Sequence, residues 1–109
     1  MTQPGDVWRL YGGEKLLAEM RVTGSDFPWT HASLSAQPAF AAVAPLFAEE
    51  LRLIDLLDDV AQQDAWELAY DRVQEAVSLT APDGRRVPEY LLHIDGEHAW
   101  WRWSDTPFD

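Results

Sequence analysis

Apolar and polar positions alternate first in two short runs, "VWRLY" at 7–11 and "EKLLAEMRV" at 14–22, separated by Gly12-Gly13. A glycine pair accepts the positive φ angles of a tight turn, so the pattern predicts a β-hairpin. With the two glycines as the loop, Tyr11 faces Glu14, Leu10 faces Lys15 and Trp8 faces Leu17. Leu16, Ala18, Met20 and Val22 alternate with Lys15, Leu17, Glu19 and Arg21 in the second strand, so the first set is expected to face the core. Trp8 and Leu17 then fall on the other face.

The period changes after residue 38. In "PLFAEELRLIDLLD" (45–58), Leu46, Phe47, Glu50, Leu51, Ile54 and Leu57 gather near one side, the mark of an amphipathic helix that Pro45 either begins or kinks. A second helix is predicted from about residue 62 to 75, where Trp66, Ala69, Tyr70, Val73 and Val77 recur at helical spacing. The strand period returns in "AVSLT" (76–80), "RVPEYLLHI" (86–94) and "EHAWWRW" (97–103), with turn residues "PDGR" between the first two. Residues 23–38, "TGSDFPWTHASLSAQP", are rich in Gly, Ser, Thr and Pro and predict a long connection with one short extended piece near Trp29 to Leu34. Phe27 and Trp29 around Pro28 would anchor that loop. The predicted fold is α+β: one domain over residues 1–109, in the order β-β-α-α-β-β-β. Its mostly antiparallel sheet is a hairpin plus a three-stranded meander, with two helices packed on one face through Phe47, Leu51, Ile54, Trp66, Tyr70 and Val73.

The last hairpin carries the most chemistry. Asp95-Gly96 favours a two-residue type I′ loop. On that register Ile94 faces Glu97, His93 faces His98, Leu91 faces Trp100, and Glu89 faces Arg102 as a cross-strand ion pair. One face then holds Pro88, Tyr90, Leu92, Ile94, Ala99, Trp101 and Trp103, and is expected to be the core face. The other holds Glu89, Leu91, His93, His98, Trp100 and Arg102. His93 and His98 together would offer two imidazoles to a divalent metal, with His31 from the long loop as a third ligand. Trp8 and Trp100, expected on the uncovered face, and Trp29 in the loop are candidate partner-binding residues, because Trp is favoured at interface hot spots.

Composition narrows the functions. Nineteen acidic against eight basic side chains give a formal charge of −11, which repels phosphate backbones and anionic membranes and favours a basic partner, so neither nucleic acid nor membrane is an expected target. The chain has no cysteine, which removes thiolate metal sites, disulfides and cysteine nucleophiles. No basic leader and no long apolar run occurs, so a cytoplasmic protein is expected. The acidic run from Glu49 to Glu75 has no Glu-x-x-His pair for a di-metal bundle, and Asp58-Asp59 lacks the spacing of a calcium loop; it reads as a solvated helical face. Ser25, Ser33 and Ser35 share the loop with Asp26 and His31 but form no nucleophile elbow, and no phosphate-binding glycine loop is present. No cofactor is implied.

The stretches "GSDFPWTHASL", "PAFAAVAPLFAEELRLID" and "VPEYLLHIDGEHAWWRWSDTPF" resemble a family of small uncharacterised actinobacterial proteins. That family has no established activity, so the resemblance assigns no catalytic residue. The leading expectation is a non-catalytic, acidic protein-interaction module, immunity-like or regulatory, which presents either its acidic helical face or its Trp-bearing sheet face and is compatible with homodimerisation. The alternative is a small-molecule or metal-binding protein with a cleft near His31, His93 and His98.

Overall fold

The computed structural model describes residues 3–26, 28–54 and 60–104; Phe27 and Leu57, both named above, lie outside the described residues, as does Asp58-Asp59. The elements are β1 (Val7–Gly12), β2 (Lys15–Asp26), β3 (Trp29–Ala36), a 3₁₀ turn (Pro38–Ala42), α1 (Ala44–Ile54), α2 (Val60–Ala76), β4 (Ser78–Thr80), β5 (Glu89–Asp95) and β6 (His98–Ser104). The six strands form one antiparallel sheet in the order β4-β1-β2-β3-β6-β5, curved into a nearly closed barrel. The α+β class and mostly antiparallel sheet are as the pattern predicts. Among the described residues no helix is long and apolar enough to cross a membrane.

Several details differ from expectation, each for a physical reason. The segment expected to be a long connection is largely strand, and the extended piece expected near Trp29 to Leu34 is part of one. Residues 23–26 complete β2 and residues 29–36 form β3, whose Thr30, Ala32 and Leu34 point inward and are buried, while His31, Ser33 and Ser35 point outward. Small polar residues on the outward positions gave a true strand the composition of a loop. Secondly, β4 does not join β5 and β6 in a meander. It pairs with β1 at the opposite edge, and residues 81–87 form only a local turn, in which Ala81 N donates to Arg85 O and Val87 N to Leu79 O, both at 2.9 Å.

Thirdly, both tight hairpins turn one residue later than expected. Their loops are Gly13-Glu14 and Gly96-Glu97, since Gly12 pairs with Lys15 and Asp95 with His98. A type I′ loop on Asp95-Gly96 requires positive φ at the aspartate as well, which no non-glycine residue in the described chain adopts. With Gly96 (φ 62°) and Gly13 (φ 63°) at the first central position, only glycine bears the left-handed conformation. In the β5–β6 hairpin every partner therefore slides by two, which preserves the faces and changes the pairs: His93 faces Trp100 rather than His98, and Leu91 faces Arg102 in place of the expected Glu89 ion pair.

The first hairpin adds a bulge between Leu10 and Tyr11, and a single extra residue flips a face. Trp8 is consequently opposite Met20, not Leu17, and lies inside the barrel at 1% exposure. Its ring meets Trp101 edge-on at 5.4 Å and Trp103 at 5.3 Å. With Leu10, Met20, Leu92 and Leu79 these indoles fill the interior, where truncating a buried tryptophan costs on the order of 3–5 kcal/mol. The Nε1 groups of Trp8 and Trp101 have no hydrogen-bond partner.

The helices cover the β5 side of this barrel. In α2, Ala69, Tyr70 and Val73 are buried on the predicted stripe, and Trp66 stacks on Tyr70 at 5.5 Å. In α1 the buried side is Phe47, Glu50 and Leu53, so the expected core positions Leu51 and Ile54 are only half-buried. The stripe is turned because α1 packs against edge strand β5 as well as α2. At that edge one side chain takes up two backbone groups. The Tyr70 hydroxyl donates to Tyr90 O at 3.0 Å and accepts from Leu92 N at 2.8 Å, taking the place of a neighbouring strand.

Candidate functional site

The outer face of β3, β6 and β5 gathers five of the six candidate side chains. Antiparallel register places His31 opposite Trp100 across β3–β6, Trp100 opposite His93 across β6–β5, and His98 opposite Ser33 and Asp95. Strand alternation turns all of them outward, away from the packed Ala99 and Trp101. The rings form a continuous run: Trp29 lies 5.7 Å from His93, His93 5.4 Å from Trp100, Trp100 4.9 Å from His98, and His98 5.3 Å from His31. Trp29, Trp100 and His31 are half-exposed and His98 is exposed. Trp8 is the candidate that does not belong, for the reason given by the β1–β2 bulge.

His31 and His98 are in direct contact. Nδ1 of His31 and Nε2 of His98 stand 3.1 Å apart, and the ring planes are inclined by only 12°. The ring centres are farther apart than the nitrogens by about two ring radii, so the imidazoles meet edge to edge, nearly in plane, and are not stacked face on face. This is an N–H···N hydrogen bond in which one ring donates and the other accepts.

His93 has a different environment. It is 1% exposed, covered by Trp29 and Trp100, and its Nδ1 stands 2.7 Å from Oε1 of Glu50, itself fully buried on α1. The same oxygen accepts a hydrogen bond from Trp66 Nε1 at 2.8 Å. Oε1 is close enough to Nδ1 for an ion pair but lies off the N–H direction, so Nδ1 has a carboxylate beside it without an aligned hydrogen bond, and Glu50 Oε2 has no partner. Sequence pattern placed Glu50 on the apolar side of α1 without a reason. The reason is this contact: one carboxyl group ties α1 to α2 through Trp66 and to β5 through His93, and a buried polar group left without such partners would be destabilising.

The three histidines therefore separate into an exposed hydrogen-bonded pair and a buried member beside a glutamate, with Trp100 between them. Among the described residues no group of three or more His, Asp or Glu is arranged to hold a metal ion. Beside Trp100, a shallow groove of about 410 Å³ is lined by Ala48, Leu51, Arg52, Ile54 and Asp95. At its rim Arg52 is engaged by Glu49 at 2.7 and 3.1 Å, and that guanidinium holds the Glu49 carboxyl below its ordinary value. Comparison with protein-family models, with curated proteins and with solved structures finds no match to this chain.

Proposed function

We propose that the protein is a non-catalytic interaction module, cytoplasmic and regulatory or immunity-like, whose contact surface is the outer face of β3 and β6. The observation that carries this reading is the run of half-exposed rings at Trp29, His31, Trp100 and His98 on a rigid antiparallel sheet. Large aromatic side chains held in place by neighbouring rings lose little conformational freedom on binding, which is why such residues anchor protein interfaces. The net charge of −11 selects against nucleic acid and anionic membrane and toward a protein partner, basic or one whose repulsion is offset.

The second reading, a metal or small-molecule site, is favoured by one observation, the 3.1 Å approach of the His31 and His98 nitrogens on an open face. Site-specific photo-cross-linking tests the interaction reading. With p-benzoylphenylalanine in place of Ser33, an exposed outer-face position opposite His98, chelator-treated protein irradiated in native lysate should yield a discrete adduct. The same probe in place of Glu75 on α2 should not. Equal labelling from both positions, or none from Ser33, would remove the reading.

A further inference from the structure

Two histidine nitrogens held 3.1 Å apart at the surface nearly match the spacing that one metal ion demands of two ligands. Zinc binds imidazole nitrogen at about 2.0–2.1 Å in tetrahedral geometry, which sets two ligating nitrogens about 3.3–3.4 Å apart. An opening of a few tenths of an ångström, with both rings swung toward solvent, converts the hydrogen-bonded pair into a chelating one. His98 is exposed and His31 half-exposed, so neither ring is wedged in place; the metal displaces the shared proton and sits on the solvent side of the line between the two nitrogens.

One chain supplies only half of such a site, because a structural zinc takes four ligands and no third His, Asp or Glu among the described residues is placed to join the pair. We propose that His31 and His98 are a half-site for a divalent, imidazole-preferring metal of the zinc class, completed by the same two histidines of a second copy across a two-fold axis. The proposal rests on the reading of this face as a contact surface and adds, for the metal-loaded protein alone, a second copy as its occupant. Twofold symmetry brings a patch onto itself, so two nitrogens per chain become four around one ion. Trp29 and Trp100, beside the pair, then pack against the partner copy. Two bodies of charge −11 repel one another, and a dication held between them offsets part of that repulsion. Asp95, opposite His98 on β5, is the nearest carboxylate in register to accept from a ligating imidazole's other nitrogen, the usual support for a metal-bound histidine.

The test is the solution mass of the full chain with Zn²⁺ alone as the probe, together with calorimetry. In chelator the protein should run as a 12.4 kDa monomer; with Zn²⁺ it should double in mass at one zinc per two chains. His98→Gln and His31→Gln should each weaken zinc binding at least tenfold and abolish the dimer, and both positions are open enough for the fold to persist, which circular dichroism checks. Cobalt(II) in place of zinc should give the intense visible bands of a tetrahedral nitrogen site. No saturable zinc binding, one zinc per chain with unchanged mass, or a zinc dimer that survives both substitutions overturns the proposal. Any of these leaves the contact-surface reading to the Ser33 cross-link, which is made in chelator and does not depend on metal.

Discussion

Removing one oxygen atom, in Tyr70→Phe, tests how the barrel edge is closed. The Tyr70 hydroxyl serves two backbone groups of β5, the carbonyl of Tyr90 at 3.0 Å and the amide of Leu92 at 2.8 Å. All three residues are buried, which limits the access of water to the groups left behind. Phenylalanine keeps the ring and its stacking on Trp66. The loss is therefore the cost of leaving buried partners unsatisfied, about 1–3 kcal/mol for each. With one donor and one acceptor stranded, a destabilisation of about 2–6 kcal/mol is expected, a large share of the roughly 5–15 kcal/mol typical of a domain. Tyr90→Phe is the internal control: its hydroxyl makes one bond, to Val77 O at 3.1 Å, and should cost about 1 kcal/mol. Urea unfolding followed by tryptophan fluorescence gives both numbers, and the slope of the transition should not change. Amide exchange at Leu92 should accelerate in Tyr70→Phe more than exchange at residues of β2. A loss below about 0.5 kcal/mol, or unchanged protection of Leu92, would refute the claim that this hydroxyl stands in for a strand.

The same two phenols set an alkaline limit. Burial pushes the Tyr90 phenol up to about 12 and raises that of Tyr70 as well. Because the folded state holds the proton more tightly, their contribution is complete below about pH 10, the ordinary tyrosine value, and is lost as pH rises toward 12; unfolding monitored against pH should begin in that window and shift in Tyr90→Phe. Glu50→Ala should cost about 2–4 kcal/mol in chemical denaturation by stranding Trp66 Nε1 and the His93 ring, and Glu50→Gln, which keeps an acceptor for Trp66, should cost less. Gly96→Ala and Gly13→Ala, at φ 62° and 63°, should each destabilise by about 1 kcal/mol or more, whereas Gly24→Ala, with no atom near its added methyl group and no positive φ, should be within about 0.5 kcal/mol of the parent.

Side-chain period was a good guide to faces and a poor one to partners. The β5–β6 hairpin separates Tyr90, Leu92, Ala99 and Trp101 from His93, His98 and Trp100 as the alternation predicts, because the slip of two residues conserves parity. A bulge does not, and no residue pattern around Leu10 and Tyr11 announces one, so Trp8 was misplaced. In β3 the outward serines and His31 reduced a full strand to one short extended piece near Trp29 to Leu34, because its small inward residues, Thr30 and Ala32, are buried by their neighbours' bulk and not by their own hydrophobicity. The candidate surface was legible as a list, since Trp29, His31, His98 and Trp100 were all singled out. Their assembly was not, because it depends on β3 pairing with β6 across sixty-odd residues of chain. Glu50 was invisible as a functional group for the opposite reason: a carboxylate among apolar helix positions declares itself only when Trp66 and His93 are brought to it.

Covalent footprinting tests the central claim, that the outer face of β3 and β6 is where this protein meets another. Hydroxyl-radical oxidation of the dilute, chelator-treated protein should label Trp29, Trp100 and His98 and spare the enclosed Trp8 and Trp101. The same protein labelled at native abundance in lysate should show protection confined to Trp29, His31, His98 and Trp100. Labelling of these four residues that is identical in the two settings, or protection that falls instead on α2, would contradict it.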